Sequence, residues 1–313
     1  MEQASASAPA SIGNVGVGFD VLGQAFDAAR DTVIAVRESE PGVRLGAVSG
    51  LVDRLPDRPD SNTALAAAAA LLAAAGNPFG VRLSIDKGVP MSAGMGGSAA
   101  SAVAAAAAVN ALLPKPYAIP DLLPFALEGE RIASDPPHWD NVRASLLGGL
   151  VLAASEQPPL VRQLPVPKGV VAILLHPSVK TETKAARALL KADVPMKLVV
   201  EHSRRIAAFA AGCATSDLDL IRAGLEDVLV EPQRAHLLPP LAAVKKAAMA
   251  AGALGCSFSG SGPSVFAWAL EADSDKVEDA MSWAFVEAGL AARAYRAPVD
   301  SEGVRVERVR EAV

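Results

Sequence analysis

The chain has 313 residues, enough for two domains and a full hydrophobic core. Apolar residues make up 51% of it, much of that alanine, while aromatics reach only 4%, so packing rests on close helix contact and on Leu and Val. A net charge of −5, with acidic and basic residues interspersed, leaves no electrostatic footprint for nucleic acid or an anionic membrane, and the expected partner is a small molecule. Cys213 and Cys256 lack C-x-x-C spacing and are too few for a disulfide framework, so they read as buried thiols of a reducing compartment. The first dozen residues carry no Lys, Arg or apolar core, which argues against a secretory signal, and "ALAAAAALLAAAG" (64–76) is too short and too weakly apolar to span a bilayer. A cytoplasmic protein is the expectation.

In chain order, strand-like runs "DTVIAVRES" and "GVRLSID" flank a predicted helix over 61–76, capped by Ser61 or Asn62. A second helix is predicted from Ser98 to about Leu113 and a third over 120–133, and "ASLLGGLVLAA" (144–154) reads as a buried strand or hairpin. The proline-bearing "SEQPPLVRQLPVPKG" (155–169) is the best domain boundary, giving domains over 1–160 and 161–313. Beyond it come a strand "VVAILLHPS", helices near 181–192, 197–213, 217–228 and 239–252, a strand "CSFSGSGPSVFAWAL", a helix over 274–289 and two short strands. Strands and helices are grouped rather than strictly alternating, so the fold class is α+β.

Three glycine-rich segments stand out. In "GMGGSAAS" (94–101), Gly94, Gly96 and Gly97 permit positive φ and let backbone N–H groups approach a ligand, and Ser98 stands at the start of the helix. The free N–H groups of a first helical turn form an anion site. Ser98 has two readings: it caps that turn, or its hydroxyl ligates a Mg²⁺ that bridges phosphates. No Lys precedes Ser98, so the spacing is not that of a Walker P-loop, and Lys87 is the nearest cation. A plain loop with a serine cap is the alternative. The second segment, "FSGSGPSVF" (258–266), reads as a further backbone-lined pocket wall or as a tight hairpin. The third, "APASIGNVGVGFDVLG" (8–23), carries Asn14 and Asp20, either as ligand-recognition groups or as Asx turns. No His or Cys spacing suggests a transition-metal site, and no Gly-x-Ser-x-Gly elbow suggests a hydrolase.

Taken together and in this order, the three segments resemble the signature motifs of the GHMP small-molecule kinases, and among them the homoserine kinases. "EGERIASDPPHWDNVRASLLGG" (128–149) and "HPSVKTETKAARALL" (176–190) add to the narrower likeness. The resemblance implies a two-domain GHMP kinase fold, with a left-handed β-α-β crossover in the N-terminal domain and a ferredoxin-like C-terminal domain. It implies ATP with Mg²⁺, L-homoserine as acceptor, and the dimer that is common, though not universal, in the family. The phosphates would lie along Pro90, Met91, Ser92, Ala93, Gly94, Met95, Gly96, Gly97, Ser98, Ala99, Ala100 and Ser101. Ser98 and Glu130 would ligate Mg²⁺, while Asn14, Asp20, His138, Asn141, Arg187, Arg234 and Gly260 would surround the amino acid. A zwitterion calls for a carboxylate to meet its ammonium and for guanidinium forks to meet its carboxylate, roles that suit Asp20 and the two arginines. Asn141 would orient the hydroxyl, and Asp140 is a candidate general base. Departures from the motifs are Ser92-Ala93-Gly94-Met95-Gly96-Gly97-Ser98 where the family usually reads Gly-Ser-Gly-Leu-Gly-Ser-Ser, Val17 for a usual proline, and Trp139 for a common Tyr. A GHMP kinase for another alcohol such as mevalonate, or a non-catalytic nucleotide-binding relative, is the alternative.

Overall fold

The structure is a computed structural model that describes residues 2–156, 159–179 and 183–310. β1 (Gln3–Gly13), β2 (Leu22–Glu38), β3 (Val43–Gly50) and β4 (Gly80–Lys87) form the centre of the first sheet in the order β1-β2-β4-β3. β3 and β4 are parallel, joined across α1 (Thr63–Ala74), and this unit is the β-α-β crossover of the N-terminal half. Asn62 is the cap of α1, its side-chain oxygen accepting from the N–H groups of Ala64 at 3.0 Å and Leu65 at 3.3 Å.

α2 (Gly97–Asn110) is buried on every side from Ala99 to Asn110, which explains its lack of a polar face. β1, made largely of Ala and Ser, is buried from Ala6 to Gly13, and its small side chains let α2 lie close against the sheet. α3 (Leu123–Glu130) packs on α1 and α2 at Gly129, where a Cβ would come within 2.5 Å of Thr63 O and 2.9 Å of the Ala102 Cβ. That close approach brings Glu130 beside the start of α2.

The predicted strand or hairpin over 144–154 is instead the end of α4 (Trp139–Leu147) followed by β5 (Leu150–Glu156). Gly148 and Gly149, at φ 81° and 63°, end the helix and turn the chain into the strand, so the apolar run spans two elements. β6 (Pro159–Leu164), inside the proline-bearing stretch, pairs with β5 and belongs to the first sheet.

The second sheet holds β7 (Val170–Pro177), β8 (Gly255–Phe258), β9 (Val265–Leu270) and β10 (Ala292–Pro298) in the antiparallel order β10-β7-β9-β8. Between β7 and β8 run α5 (Thr183–Ala188), α6 (Met196–Thr215), α7 (Leu218–Gly224), α8 (Glu231–Arg234) and α9 (Leu241–Ala250), and α10 (Ser274–Glu287) links β9 to β10. This β-α-β-β-α-β order is ferredoxin-like. The single strand predicted over 256–270 is two strands, because Gly260 and Gly262 take positive φ and reverse the chain between them. The predicted helix over 181–192 is confined to α5, with residues 181 and 182 outside the described residues.

The last strand, β11 (Arg305–Arg310), returns to pair with β1 in the first sheet. A shared core of Leu22, Phe26, Phe209, Phe266 and Trp268 joins the sheets, and the Trp268 indole donates to Gln24 Oε1 at 2.8 Å across it. Cys213 and Cys256 are buried and unpaired, and burial pushes both thiols up to about 12.

Candidate active site

The three glycine-rich segments, distant in sequence, converge on one cavity of about 390 Å³. Asn14 Nδ2 donates to Gly260 O at 3.0 Å, Ser259 Oγ donates to Gly94 O at 2.6 Å, and Gly260 N–H donates to Gly13 O at 3.1 Å. Gly94 sits at φ 71°, where a Cβ would press on the carbonyls of Ser259 and Gly262 at 2.5 and 2.7 Å. Only glycine allows that approach.

Gly96, not Ser98, is the N-cap of α2, at φ 64° and with no side-chain cap bond. The Ala100 N–H is taken by Gly96 O at 2.9 Å, while the N–H groups of Gly97 and Ser98, which line the cavity, precede the first intrahelical acceptor and are open to an anion. The hydroxyl of Ser98 is freed from capping and donates to Glu130 Oε1 at 3.0 Å. Glu130 is 1% exposed, His138 Nδ1 lies 2.9 Å from the same oxygen, and Oε2 has no hydrogen-bond partner among the described residues. Burial pulls the His138 imidazole down, but the hydrogen bond and charge of Glu130, with Asp140 beyond, hold it above the usual histidine value. A buried carboxylate oxygen left without a donor beside a serine hydroxyl fits a hard divalent cation that takes oxygen ligands and completes its shell with phosphate.

Asp140 and Asn141 lie on the first turn of α4. The Asn14 N–H donates to Asp140 Oδ2 at 2.9 Å, the Asn141 amide donates to Asp140 Oδ1 at 3.3 Å, and Ser11 Oγ donates to Asn141 Oδ1 at 2.9 Å. Burial, with Asp20 nearby, raises the Asp140 carboxyl above the ordinary aspartate value despite these bonds and the opposing pull of His138. Arg143, one turn along, is fully buried with its guanidinium stacked 4.4 Å from the Trp139 ring centroid and no hydrogen-bond partner among the described residues, and burial lowers its pKa.

Elsewhere on the cavity wall, Asp20 is ion-paired to Arg187 of α5. Arg234 is 4% exposed and donates from Nε to Ala186 O at 3.0 Å. Burial, then the charge of Arg187, lowers its pKa. Arg234 is placed by α8, a four-residue helix whose N–H groups are capped by Asp227 and whose Glu231 is tied to Lys245 and, at 2.5 Å, to Ser257 Oγ. Of the residues expected at the site, Pro90, Ala99 and Ala100 do not line the cavity; Ala99 and Ala100 are fully buried beneath it.

Sequence reasoning names Lys87 only as the nearest cation and misses its role: it is bound to the fully buried Asp31 and donates to Gly97 O at 3.0 Å and Ser101 Oγ at 2.9 Å. Asp31 also accepts from the Gly88 and Val89 N–H groups, so Lys87 braces the glycine loop from below. Ser11, Phe19 and the apolar group Leu55, Pro56 and Ile132 carry no local signal beyond their nearness to a motif or a proline turn.

Residues 62–149 match the profile described as GHMP kinases N terminal domain, and residues 207–287 match GHMP kinases C terminal. The chain belongs to the GHMP kinase family. It is similar to the homoserine kinase of Xanthomonas campestris pv. campestris (strain B100), 45% identical over 307 residues that cover 98% of this chain and 94% of that protein. A solved homoserine kinase from Cytophaga hutchinsonii superposes with a TM-score of 0.94 at 38% identity, covering 98% of both chains. The L. major mevalonate kinase solved with R-mevalonate shares the fold at 16% identity, with a TM-score of 0.69 over 94% of this chain and 96% of that one. Against the usual GHMP kinase motif, Ala93 and Met95 are buried in the core and Gly97 opens the helix, so the departures leave the backbone of the loop to face the cavity.

Proposed function

We propose that the chain is a homoserine kinase, transferring the γ-phosphoryl group of ATP to the side-chain hydroxyl of L-homoserine in the threonine pathway. One observation carries the reading. A single cavity joins an anion-binding helix N-terminus to a carboxylate facing two arginines, a pattern suited to a phosphate donor and a zwitterionic acceptor.

In this reading the N–H groups of Gly97 and Ser98 hold the phosphates, and Leu55, Pro56 and Ile132 suit a nucleobase. Ser98 and Glu130 are the side chains for Mg²⁺, which when bound neutralises phosphate charge. Asp20 takes the ammonium of homoserine, and Arg187 and Arg234 take its carboxylate. Asn141 orients the hydroxyl for in-line transfer, which in a loose transition state depends mainly on positioning. Asp140, engaged by Asn14 and Asn141, acts by holding them in place. The reading keeps an N-terminal and a C-terminal domain, with the edge expected at 160 moved because β6 and β11 both pair into the first sheet, and a cytoplasmic enzyme without nucleic-acid or membrane partners. Among the described residues no helix is long and apolar enough to cross a membrane. A homodimer is carried over from the resemblance.

The test is a pair of variants, Arg187→Ala and Arg234→Ala. A lost charge-assisted bond to a carboxylate is worth about 1.5–3 kcal/mol, so the homoserine KM should rise roughly 10- to 100-fold with the ATP KM unchanged. Equal damage to both KM values in folded protein would reassign the arginines to nucleotide or to structure.

A further inference from the structure

Phe19 stands on the turn between β1 and β2 that also carries Asn14 and Asp20, and it lines the cavity. Two guanidinium groups share its ring: Arg187 from α5 at 5.5 Å from the centroid and Arg234 from α8 at 5.3 Å. Two like charges at one aromatic ring repel each other, and a single carboxylate, Asp20, is paired with one of them. The negative face of an aromatic ring attracts both cations, and it does so without consuming their N–H donors. Beyond the Nε bond to Ala186 O, Arg234 has no other hydrogen bond among the described residues, so its terminal donors are not committed elsewhere.

We propose that Phe19 is a positioning residue for carboxylate recognition: its π-face holds Arg187 and Arg234 together against their repulsion and thereby sets the selectivity of the pocket for an amino-acid substrate. The inference rests on the homoserine reading for the identity of the ligand, but not for the geometry. A residue that merely fills space would be replaced well by an apolar side chain of similar volume, whereas a π-face depends on the electrons of the ring.

The test compares wild type, Phe19→Leu, Phe19→Trp, and protein carrying phenylalanines of increasing ring fluorination at position 19, which weaken the π-face at nearly constant shape. With wild-type turnover of L-homoserine as baseline, Phe19→Leu should raise the homoserine KM about 10-fold while kcat and the ATP KM stay within about 2-fold. Phe19→Trp should restore most of the loss, and log KM should climb steadily with fluorine count. A flat fluorine series, or a Leu variant equal to wild type, would reduce Phe19 to a space-filler and overturn the proposal. A second readout needs no substrate: guanidinium ¹H–¹⁵N signals of Arg187 and Arg234, assigned through Arg→Lys variants, should show ring-current shifts that vanish in Phe19→Leu. If wild type fails to turn over homoserine while those shifts vanish as expected, the substrate reading falls and the role of Phe19 stands. Unchanged shifts would overturn it.

Discussion

The glycine loop offers a calculation that separates two adjacent glycines. An alanine at position 96 would sit at φ 64°, a left-handed conformation costing about 1–2 kcal/mol for a residue with a Cβ. Its Cβ would also overlap Ser11 Oγ and stand 3.1 Å from Asn141 Oδ1. Ser11 must then move, and its bond to Asn141 is lost, leaving a buried carbonyl without a donor at a further cost of about 1–3 kcal/mol. The sum, about 2–5 kcal/mol, is a large share of the roughly 5–15 kcal/mol that holds a protein folded. Gly97 is the first helical residue, and its added Cβ would meet Pro90 O and Val89 Cγ1 at 3.3 Å, a tight fit that the helix propensity gained by alanine, at most about 1 kcal/mol there, offsets. Gly96→Ala is therefore expected to lower the melting temperature by roughly 5–10 °C and, by displacing Asn141, to cut kcat about 100-fold, while Gly97→Ala melts within a few degrees of wild type. Differential scanning calorimetry and steady-state kinetics on both variants decide it. A Gly96→Ala protein that melts and turns over like wild type would refute the crowding argument and the coupling of the loop to Asn141.

Ser98→Ala and Glu130→Gln should each leave a folded protein with strongly reduced turnover that is partly recovered by raising Mg²⁺, and full activity at limiting Mg²⁺ would remove both from the cation site. Asp140→Asn should lower kcat by less than about 100-fold and Asn141→Ala by more, since positioning outweighs base catalysis in a loose transition state; the reverse order, measured at saturating substrates, would make Asp140 the base. The same Asp140→Asn variant carries a pH signature. The folded carboxyl titrates above its unfolded value, so the wild type is most favoured below the ordinary aspartate pKa and loses stability as pH rises through the raised one. The variant has no such loss, so its melting temperature should gain on wild type between acid and neutral pH.

The glycine turn at the head of α2 is legible in the sequence because its geometry is local: glycines at 94, 96 and 97 and a serine at 98 lie within one turn of chain. The cap of α1 and the extent of α6 were legible for the same reason. β1 was missed because an Ala/Ser strand shows no β-branched signature, its burial arising from the helix laid over it. The end of α4 reads as strand because "ASLLGGL" carries no charge and only the glycine pair marks the boundary. Ser98 reads both as a cap and as a ligand; the cap falls to Gly96, and the packing at Gly129 brings Glu130 to its hydroxyl, a long-range approach with no sequence trace. The bracing of the loop by Asp31, Lys87 and Ser101 joins residues up to 70 positions apart, and the support of Arg234 by Glu231 and Ser257 joins residues 26 apart, so neither leaves a periodic trace.

The reaction proposed for this cavity is phosphorylation of a zwitterionic amino-acid alcohol. ADP release, coupled to mass-spectrometric identification of the product, should be measured with L-homoserine, with 4-hydroxybutyrate lacking the ammonium, with 4-aminobutan-1-ol lacking the carboxylate, and with mevalonate. L-homoserine should be the preferred acceptor and yield its O-phosphate, and each analogue missing one charge should lose roughly 10- to 100-fold in kcat/KM. Turnover of mevalonate or 4-aminobutan-1-ol at the rate of homoserine, or no phosphorylated amino acid at all, would contradict it.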